Sequence, residues 1–465
     1  MTSRRPHPLT LVPTFSVALA VLGGCSQLSG RSVAYPSIAE RDPTVSVEAA
    51  GEPLSPAQGE RLIERAAAVD DSTLLERVLA VEEALTKSPL VAGNAIELLV
   101  DGPDTYEAMF DAISKAEHHV HLETYILADD EVGQQLADIL IDRRKHGVAV
   151  RIIYDWYGSM NTSAEFIETL EDHGVEVHEF RPADPRLWRI DNRDHRKILV
   201  VDGRVGFTGG MNVSGVYESS SFSAPEPAPS LDGRWRDTHV RIDGPAVAEL
   251  QKVFLRLWSE EGPEGEQVRH ETDEYFPKLE PAGADLVRII ATDGGDEEYE
   301  IYEAYMAAIE HARERIWITQ AYFAPNDDIL EALEDAARRG VDVRVLVPGL
   351  TDQSIVLNAS RSMYDDLLEA GVHIYERRDA MVHAKTAVID GVWSTVGSSN
   401  FDYRSFLHNH EANAVIISRE FGRQMEDLFQ VDIDHSVAIL REEWENRSWA
   451  DRIIQDFSRL FTYWI

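Results

Sequence analysis

Residues 381–411 read MVHAKTAVIDGVWSTVGSSNFDYRSFLHNHE. His383 and Lys385 stand two apart, Asp390 follows five residues after the lysine, and Gly397-Ser398-Ser399-Asn400 comes next. Residues 386–389 are apolar and β-prone. His383 and Lys385 are therefore expected on one face of a strand, since strand side chains alternate with period 2. Asp390-Gly391 then makes a two-residue hairpin turn, with 392–396 as the returning strand. The same imprint lies upstream as His195, Lys197, Asp202 and Gly209-Gly210-Met211-Asn212. The two histidines are 383 − 195 = 188 residues apart. One such pattern arises by chance; two with matching surroundings mark an enzyme.

Around the motifs the chain alternates between strands and helices. In the first half, strands are expected at 97–100, 120–126, 148–154 and 175–180, with helices at 105–116, 131–146 and 164–173. The first motif hairpin follows at 197–207. The second half repeats the order as strand 286–290, helix 300–312, strand 316–322, helix 328–339 and strand 341–347. RRKHGV at 143–148 matches AARRGV at 336–341, and LEDHGV at 170–175 matches LLEAGV at 367–372. This predicts an α/β fold made of two duplicated lobes, each a mixed central sheet flanked by helices. The repeat is too long for a solenoid. The expected segments are a leader (1–24), a polar tether (25–54) and a helical lead-in (55–94) with helices at 57–69 and 72–87. The first lobe (95–259), an acidic linker (260–283), the second lobe (284–430) and a C-terminal helical segment (431–465) complete the chain.

The chain has 465 residues, enough for a large core, and 44% are apolar. Its net charge of −38 opposes binding to nucleic acid, which depends on Lys and Arg neutralising phosphates. Adaptation to high salt and a plain acidic surface fit this charge equally well. The one cysteine, Cys25, rules out an internal disulfide. It follows a basic Ser3-Arg4-Arg5, an apolar run at 9–22 broken by Pro13, and Leu22-Gly23-Gly24. That leader resembles a bacterial lipoprotein signal peptide, cleaved so that the Cys25 thiol carries lipid; an ordinary secretory leader or an uncleaved anchor is the alternative. The expected place is the bacterial cell envelope, anchored to a membrane surface and facing the periplasm or exterior.

Two imidazoles facing each other across a pseudo-twofold axis divide a substitution at phosphorus between them. One, neutral, attacks to form a phosphohistidine; the other, protonated, donates to the leaving alkoxide and later deprotonates the incoming alcohol or water. Lys197 and Lys385 place positive charge on the non-bridging oxygens, and Asn212 and Asn400 add amide donors. This chemistry calls for no metal and no cofactor. Each imidazole needs an orienting carboxylate, and Glu411 and Asp237, each leading into a strand-like run, are the candidates. Asp202 and Asp390 are expected to fix the hairpin turns through side-chain hydrogen bonds to backbone. His118, His119 and His121 suggest metal ligands, but alternation leaves only two on one face with no third ligand nearby. They are expected at the surface or at a strand end. Residues 219–230 read as an exposed loop. Trp449, Ile453, Phe457, Leu460, Phe461 and Trp464 recur at helical spacing, which fits a helix docked on the body or one lying on a membrane surface.

At these residues the sequence resembles the phospholipase D superfamily, whose signature is His-x-Lys-x4-Asp followed by Gly-Ser/Gly-x-Asn. Both copies are present. NRDHRKILVVDG at 192–203, GFTGGMN at 206–212, WRDTH at 235–239 and WSTVGSSN at 393–400 are most similar to bacterial cardiolipin synthases. The likeness runs from about Ala95 to the C-terminus. It implies transfer of a phosphatidyl group between two phosphatidylglycerols, giving cardiolipin and glycerol, with the active site between the lobes, His195 as nucleophile and His383 as acid/base. Hydrolysis to phosphatidic acid, a superfamily nuclease and a non-catalytic lipid-binding protein are the other readings. Two features depart from the pattern: a lipoprotein-like leader stands where many such synthases carry two membrane-spanning helices, and Gly210 stands opposite Ser398. The second leaves the two halves free to bind phosphate unequally.

Overall fold

The computed structural model describes residues 45–49, 51–68, 73–86, 88–182, 192–222, 234–262, 274–294, 299–351 and 353–462. The leader, Cys25, most of the tether, most of the loop expected at 219–230, the middle of the linker and Trp464 lie outside the described residues. From Asp42 onward the chain forms one compact unit.

A short hairpin of β1 (Val47–Ala49) and β2 (Glu52–Pro53) precedes α1 (Pro56–Ala67) and α2 (Thr73–Thr86). Helix α1 starts with Pro at its first position, and the Ser55 backbone N–H donates to Gln58 Oε1 at 3.1 Å. Helix α2 is tied down by Glu82, a buried carboxylate that accepts from Arg288 Nη1 at 2.9 Å and Trp393 Nε1 at 2.7 Å. Both partners belong to the second half, so this lead-in helix is part of the second lobe's packing.

The first half runs β3 (Leu90–Val100), α3 (Asp101–Ser114), β4 (His119–Thr124), α4 (Glu131–Lys145), β5 (Ala149–Asp155), α5 (Ala164–Asp172), β6 (Glu176–Phe180), β7 (Ile198–Val201), β8 (Val205–Gly209), β9 (Trp235–Arg236), β10 (Thr238–Asp243) and α6 (Val247–Glu261). The second half runs β11 (Asp285–Asp293), α7 (Glu300–His311), β12 (Arg315–Gln320), α8 (Asp327–Arg338), β13 (Asp342–Pro348), α9 (Ser354–Ser362), α10 (Tyr364–Ala370) and β14 (His373–Arg377). It continues through β15 (Met381–Val382), β16 (Lys385–Ile389), β17 (Trp393–Gly397), α11 (Tyr403–Leu407), β18 (His410–Ile417) and α12 (Arg419–Asp434), and closes with β19 (Ser436–Ala438), α13 (Arg441–Glu445) and α14 (Trp449–Arg459).

The two sheets have the same order and sense. In the first, β6, β5 and β4 are parallel, and β7, β8, β10 and β3 follow antiparallel. In the second, β14, β13 and β12 are parallel, and β16, β17, β18 and β11 follow antiparallel. Strand β3 joins them: Val91 pairs with Val287 of β11, while residues from Ala95 onward pair with β10. Gly93, at φ +91°, sits where the strand passes from one sheet to the other. The strand thus starts at Leu90, inside the segment expected to be helical, because its first half is paired with the other lobe. The boundary expected at 430/431 falls inside α12.

Alternation along the strands assigns each face to a core. Ile198 and Val200 of β7 point into a core shared with Val388, Val396 and Ile416 of the second lobe. Leu199 and Val201 point the other way, into the first lobe's own core with Leu136 of α4 and Ile113 of α3.

His119 and His121 share a face of β4, as alternation predicts, but that face is interior rather than exposed. Both are buried: His121 stacks on Phe254 at 4.5 Å and takes a hydrogen bond from Gln251 Nε2 on Nδ1 at 2.9 Å, and His119 meets the Tyr275 ring edge-on. The covering element is α6, which the sequence reading did not include. Among the described residues no cluster of three His, Cys, Asp or Glu is placed to hold a metal ion. Burial pushes His119 down to about 4, and it does the same to His239, while His410 falls to about 3. These groups are neutral when folded and take up a proton when unfolded below their ordinary value of about 6.5. Their stabilising contribution is complete above pH 6.5 and is lost as pH falls toward 4. Thermal unfolding at pH 7.5 and pH 5.0 is expected to show a drop of several degrees at the lower pH; an unchanged midpoint would contradict it.

Candidate active site

The motif hairpins form as their Asp-Gly turns predict. Asp202 and Gly203 have φ of 54° and 63°, and Asp390 and Gly391 have 51° and 63°, the left-handed pair that a two-residue hairpin turn requires. The two aspartates do bond backbone, but not in their own turns. Asp202 accepts from the N–H groups of Glu117, His118 and His119 at 2.8–2.9 Å, and Asp390 from those of Arg313, Glu314 and Arg315 at 2.8–3.3 Å. Each therefore fixes the loop that enters the neighbouring strand, β4 or β12. Both sit at the hairpin end remote from the histidine and lysine.

The histidines lie just before the hairpins, in extended backbone. The His195 N–H donates to His410 O at 2.9 Å, and the His383 N–H donates to Arg236 O at 2.7 Å. Around these bonds, Asp194 bridges His410 in parallel, and β15 pairs with β9 in parallel. His410 precedes Glu411 and Arg236 precedes Asp237, so this register brings each half's carboxylate to the other half's histidine. His195 Nδ1 lies 3.0 and 3.1 Å from the two oxygens of Glu411, and His383 Nδ1 lies 2.7 Å from Asp237 Oδ2. The pairs are crossed between the lobes, a feature that nothing in the local sequence signals.

Glu411 and Asp237 are both buried. Burial alone would raise their pKa values, but the facing imidazole outweighs it, with the nearby lysines adding to the effect. Glu411 is held down at about 2, and Asp237 is also below its ordinary range. Against an anionic carboxylate each Nδ1 is the donor, which makes Nε2 the position that either attacks with its lone pair or, in the imidazolium, carries the proton to be given up. Burial also depresses both imidazoles, to about 4; Lys385 adds to this at His383, while at His195 Glu411 opposes it. The carboxylates' direction is the one that fixes the tautomer.

Lys197 and Lys385 are buried beside them, each with Nζ donating to the carbonyl of its own motif histidine. Burial lowers Lys197 to about 7, with Lys385 contributing repulsion across the site. Lys385 also acts on His195, and Lys197 on His383, so the two motifs share one electrostatic environment. Asn212 Oδ1 accepts from the Ile126 N–H at 3.2 Å, and its amide donates to Tyr217 Oη at 3.2 Å. Asn400 Nδ2 reaches Ser405 Oγ at 3.5 Å.

Several site groups were not singled out from sequence. Tyr217 Oη lies 3.2 Å from His383 Nδ1, and the Trp235 ring is 5.0 Å from that imidazole. Tyr125 meets His195 edge-on at 4.9 Å. Arg196, between the first histidine and lysine, reaches into the second lobe, donating to Glu411 O at 3.2 Å and Thr292 O at 2.6 Å and pairing with Asp293. Its counterpart is Ala384, and that mismatch between two otherwise matched motifs was the available signal.

The difference between Gly210 and Ser398 follows from the carboxylates. Ser398 Oγ donates to Glu411 Oε2 and accepts from the Ala412 N–H at 3.0 Å. Opposite it, a Cβ on Gly210 would stand 2.2 Å from Asp237 Oδ1. The shorter aspartate brings its carboxylate into the room that a serine side chain occupies in the other half. Gly210→Ala is expected to displace Asp237 and to lower kcat at least about 100-fold, the scale of a misplaced catalytic group. Wild-type turnover in that variant would refute the steric argument.

The chain is similar to known proteins over most of its length. A family model described as "Cardiolipin synthase, PLD-like domain" matches residues 109–258 and 305–433. The cardiolipin synthase of Halalkalibacterium halodurans is 38% identical over 389 residues, covering 81% of this chain and 74% of that protein. The cardiolipin synthase of Alkalihalophilus pseudofirmus is 39% identical over 383 residues, with the same coverage of 81% and 74%. Among solved structures, the phosphatidylserine synthase of Haemophilus influenzae Rd KW20 matches with a TM-score of 0.59 at 14% identity. That match covers 82% of this chain and 96% of the other, a likeness of fold. The chain belongs to the cardiolipin synthase family with phospholipase D-like domains.

Proposed function

We propose that the protein is a cardiolipin synthase-type phosphatidyltransferase that converts two phosphatidylglycerols to cardiolipin and glycerol. The observation that carries this reading is the crossed pair of imidazole–carboxylate bonds, His195 to Glu411 and His383 to Asp237, with a buried lysine beside each. His195 Nε2 attacks phosphorus, the P–O bond to the head-group glycerol breaks, and His383 gives its Nε2 proton to the departing alkoxide. The free glycerol hydroxyl of a second phosphatidylglycerol then loses its proton to His383 and attacks the phosphohistidine, releasing His195. The order of the two histidines rests on the family resemblance. Lys197 and Lys385 offset the charge on the phosphoryl oxygens, with Asn212 and Asn400 as amide donors once phosphate enters.

Cys25 is the lipid-bearing residue in this reading, and the body works at a membrane surface of the bacterial envelope. Among the described residues no helix is long and apolar enough to cross a membrane. Metabolic lipid labelling that persists in Cys25→Ser would refute the lipoprotein assignment. Incubation with vesicles of defined phosphatidylglycerol, followed by lipid mass spectrometry, tests the reaction. Cardiolipin with equimolar free glycerol is expected; phosphatidic acid with glycerol would replace transfer by hydrolysis.

A further inference from the structure

Helix α14 is amphipathic in the reverse of the usual sense. Its buried residues are Gln455 and Ser458, and it packs with α9. Trp449, Ile453, Phe457 and Leu460 are turned to solvent, at 76%, 58%, 60% and 65% exposure. At 100° per residue these four positions fall within an arc of about 80°. A helix built only to cover the protein would bury those residues and expose the glutamine and serine.

The position of α14 matters as much as its polarity. Lys385 pairs with Gln320 at the C-terminal end of β12, so the active site lies along that edge of the second sheet. Strand β13 is parallel to β12, and α9 follows its C-terminal end. The last turn of α14 returns to the same edge, where Arg459 pairs with Asp327 at the start of α8 at 3.5 Å. In the first lobe Ile198 pairs with Glu123, so Lys197 is likewise at the C-terminal end of β4. Two more exposed apolar residues stand on this edge: Met160, in the loop after β5, and Ile355, in the first turn of α9.

We propose that the apolar face of α14 seats the enzyme on the lipid bilayer that holds its substrate, beside the mouth of the site. The inference rests on the phosphatidyltransfer reading for the identity of that surface. Eleven residues of helix extend about 16 Å, half of a bilayer's hydrocarbon core, so α14 lies in the interface and does not span it. Charge does not provide the attraction. The chain carries −38, phosphatidylglycerol is anionic, and the helix cations Arg452 and Arg459 are already bonded to Glu445 O and Asp327. Apolar insertion therefore works against electrostatic repulsion, and added salt strengthens adsorption by screening it.

The test uses the full chain with Cys25→Ser, which removes the thiol expected to carry lipid, compared with the same chain also carrying Phe457→Ser and Leu460→Ser. Flotation with phosphatidylglycerol–phosphatidylcholine vesicles reads binding without turnover. Activity is compared between those vesicles and monomeric dihexanoyl-phosphatidylglycerol. The substituted chain is expected to lose about tenfold in flotation and in vesicle turnover and to keep its turnover of the monomeric lipid. Flotation of the parent is expected to rise with salt. Equal flotation by both chains overturns the proposal, as does an equal loss on the monomeric lipid, which would make α14 a structural support. A dimeric parent made monomeric by the substitutions, with flotation unchanged, assigns the face to a second copy of the chain and also overturns it. Flotation that depends on α14 with no turnover of either lipid leaves the docking surface standing and removes the transferase reading.

Discussion

Glu411→Gln is expected to lower kcat by about three to four orders of magnitude while the protein stays folded. The amide is isosteric with the carboxylate, so the Ser398 contact and the packing of β18 are kept. What changes is the proton on the imidazole. His195 Nδ1 now donates to an anion at 3.0–3.1 Å, and a neutral amide neither holds that tautomer nor stabilises the imidazolium. An amide N–H facing Nδ1 moves the proton to Nε2 and removes the lone pair that attacks phosphorus. Because the pairing is crossed, a change in the second lobe disables the histidine of the first. Peptide mapping should then find no phosphohistidine at His195. Asp237→Asn provides the contrast: a substrate with an activated leaving group, such as a nitrophenyl ester, should recover much of the loss, because its departure needs no proton from His383. Rescue of Glu411→Gln by that substrate, to the same degree, would contradict the division of roles.

Asp432→Ala is expected to destabilise the fold by about 3–5 kcal/mol, on the order of a 5 °C fall in melting temperature for a unit of this size. Asp432 of α12 is buried and accepts from Arg236 Nε at 2.9 Å, Arg236 Nη2 at 2.8 Å and Arg377 Nη1 at 2.7 Å. Removing it takes the main counter-charge from the buried Arg236 guanidinium and one of two from Arg377, which keeps Asp379 at 2.8 Å. The cost reaches the active site, because the carbonyl of Arg236 receives the His383 N–H and the next residue is Asp237. Thermal unfolding followed by circular dichroism measures the effect. A loss under about 1 kcal/mol would mean that water or a local rearrangement replaces the carboxylate.

The parts of this molecule that the sequence made legible are those governed by short-range rules. Asp202-Gly203 and Asp390-Gly391 announced hairpins because left-handed backbone favours those residue types, and Gly147, Gly174 and Gly340 follow directly on the helices expected at 131–146, 164–173 and 328–339. His195, Lys197, His383 and Lys385 were visible as two i, i+2 pairs, although only Lys385 falls within a strand and the other three sit in the segments leading into β7 and β16. Glu411 and Asp237 were found as candidates, but their partners were not, since they act on histidines 216 and 146 residues away. That choice is made by two parallel bridges between lobes, and backbone pairing across such distances leaves no periodicity in either segment. Glu82 lies within the helix expected at 72–87 but carries no local signal, for the same reason; its partners Arg288 and Trp393 are known only once the second sheet exists. His119 and His121 failed differently. Their common face was read correctly, and which face it was depended on α6.

The crossed carboxylates have a historical consequence. An ancestor made of two identical chains would have carried the same acid, and the same neighbour to it, on both sides of its axis. Here one side has become glutamate with serine and the other aspartate with glycine, each fitted to its own mate. Each acid and its neighbour lie on the same lobe, Gly210 with Asp237 and Ser398 with Glu411, so the two members of a pair had to change together.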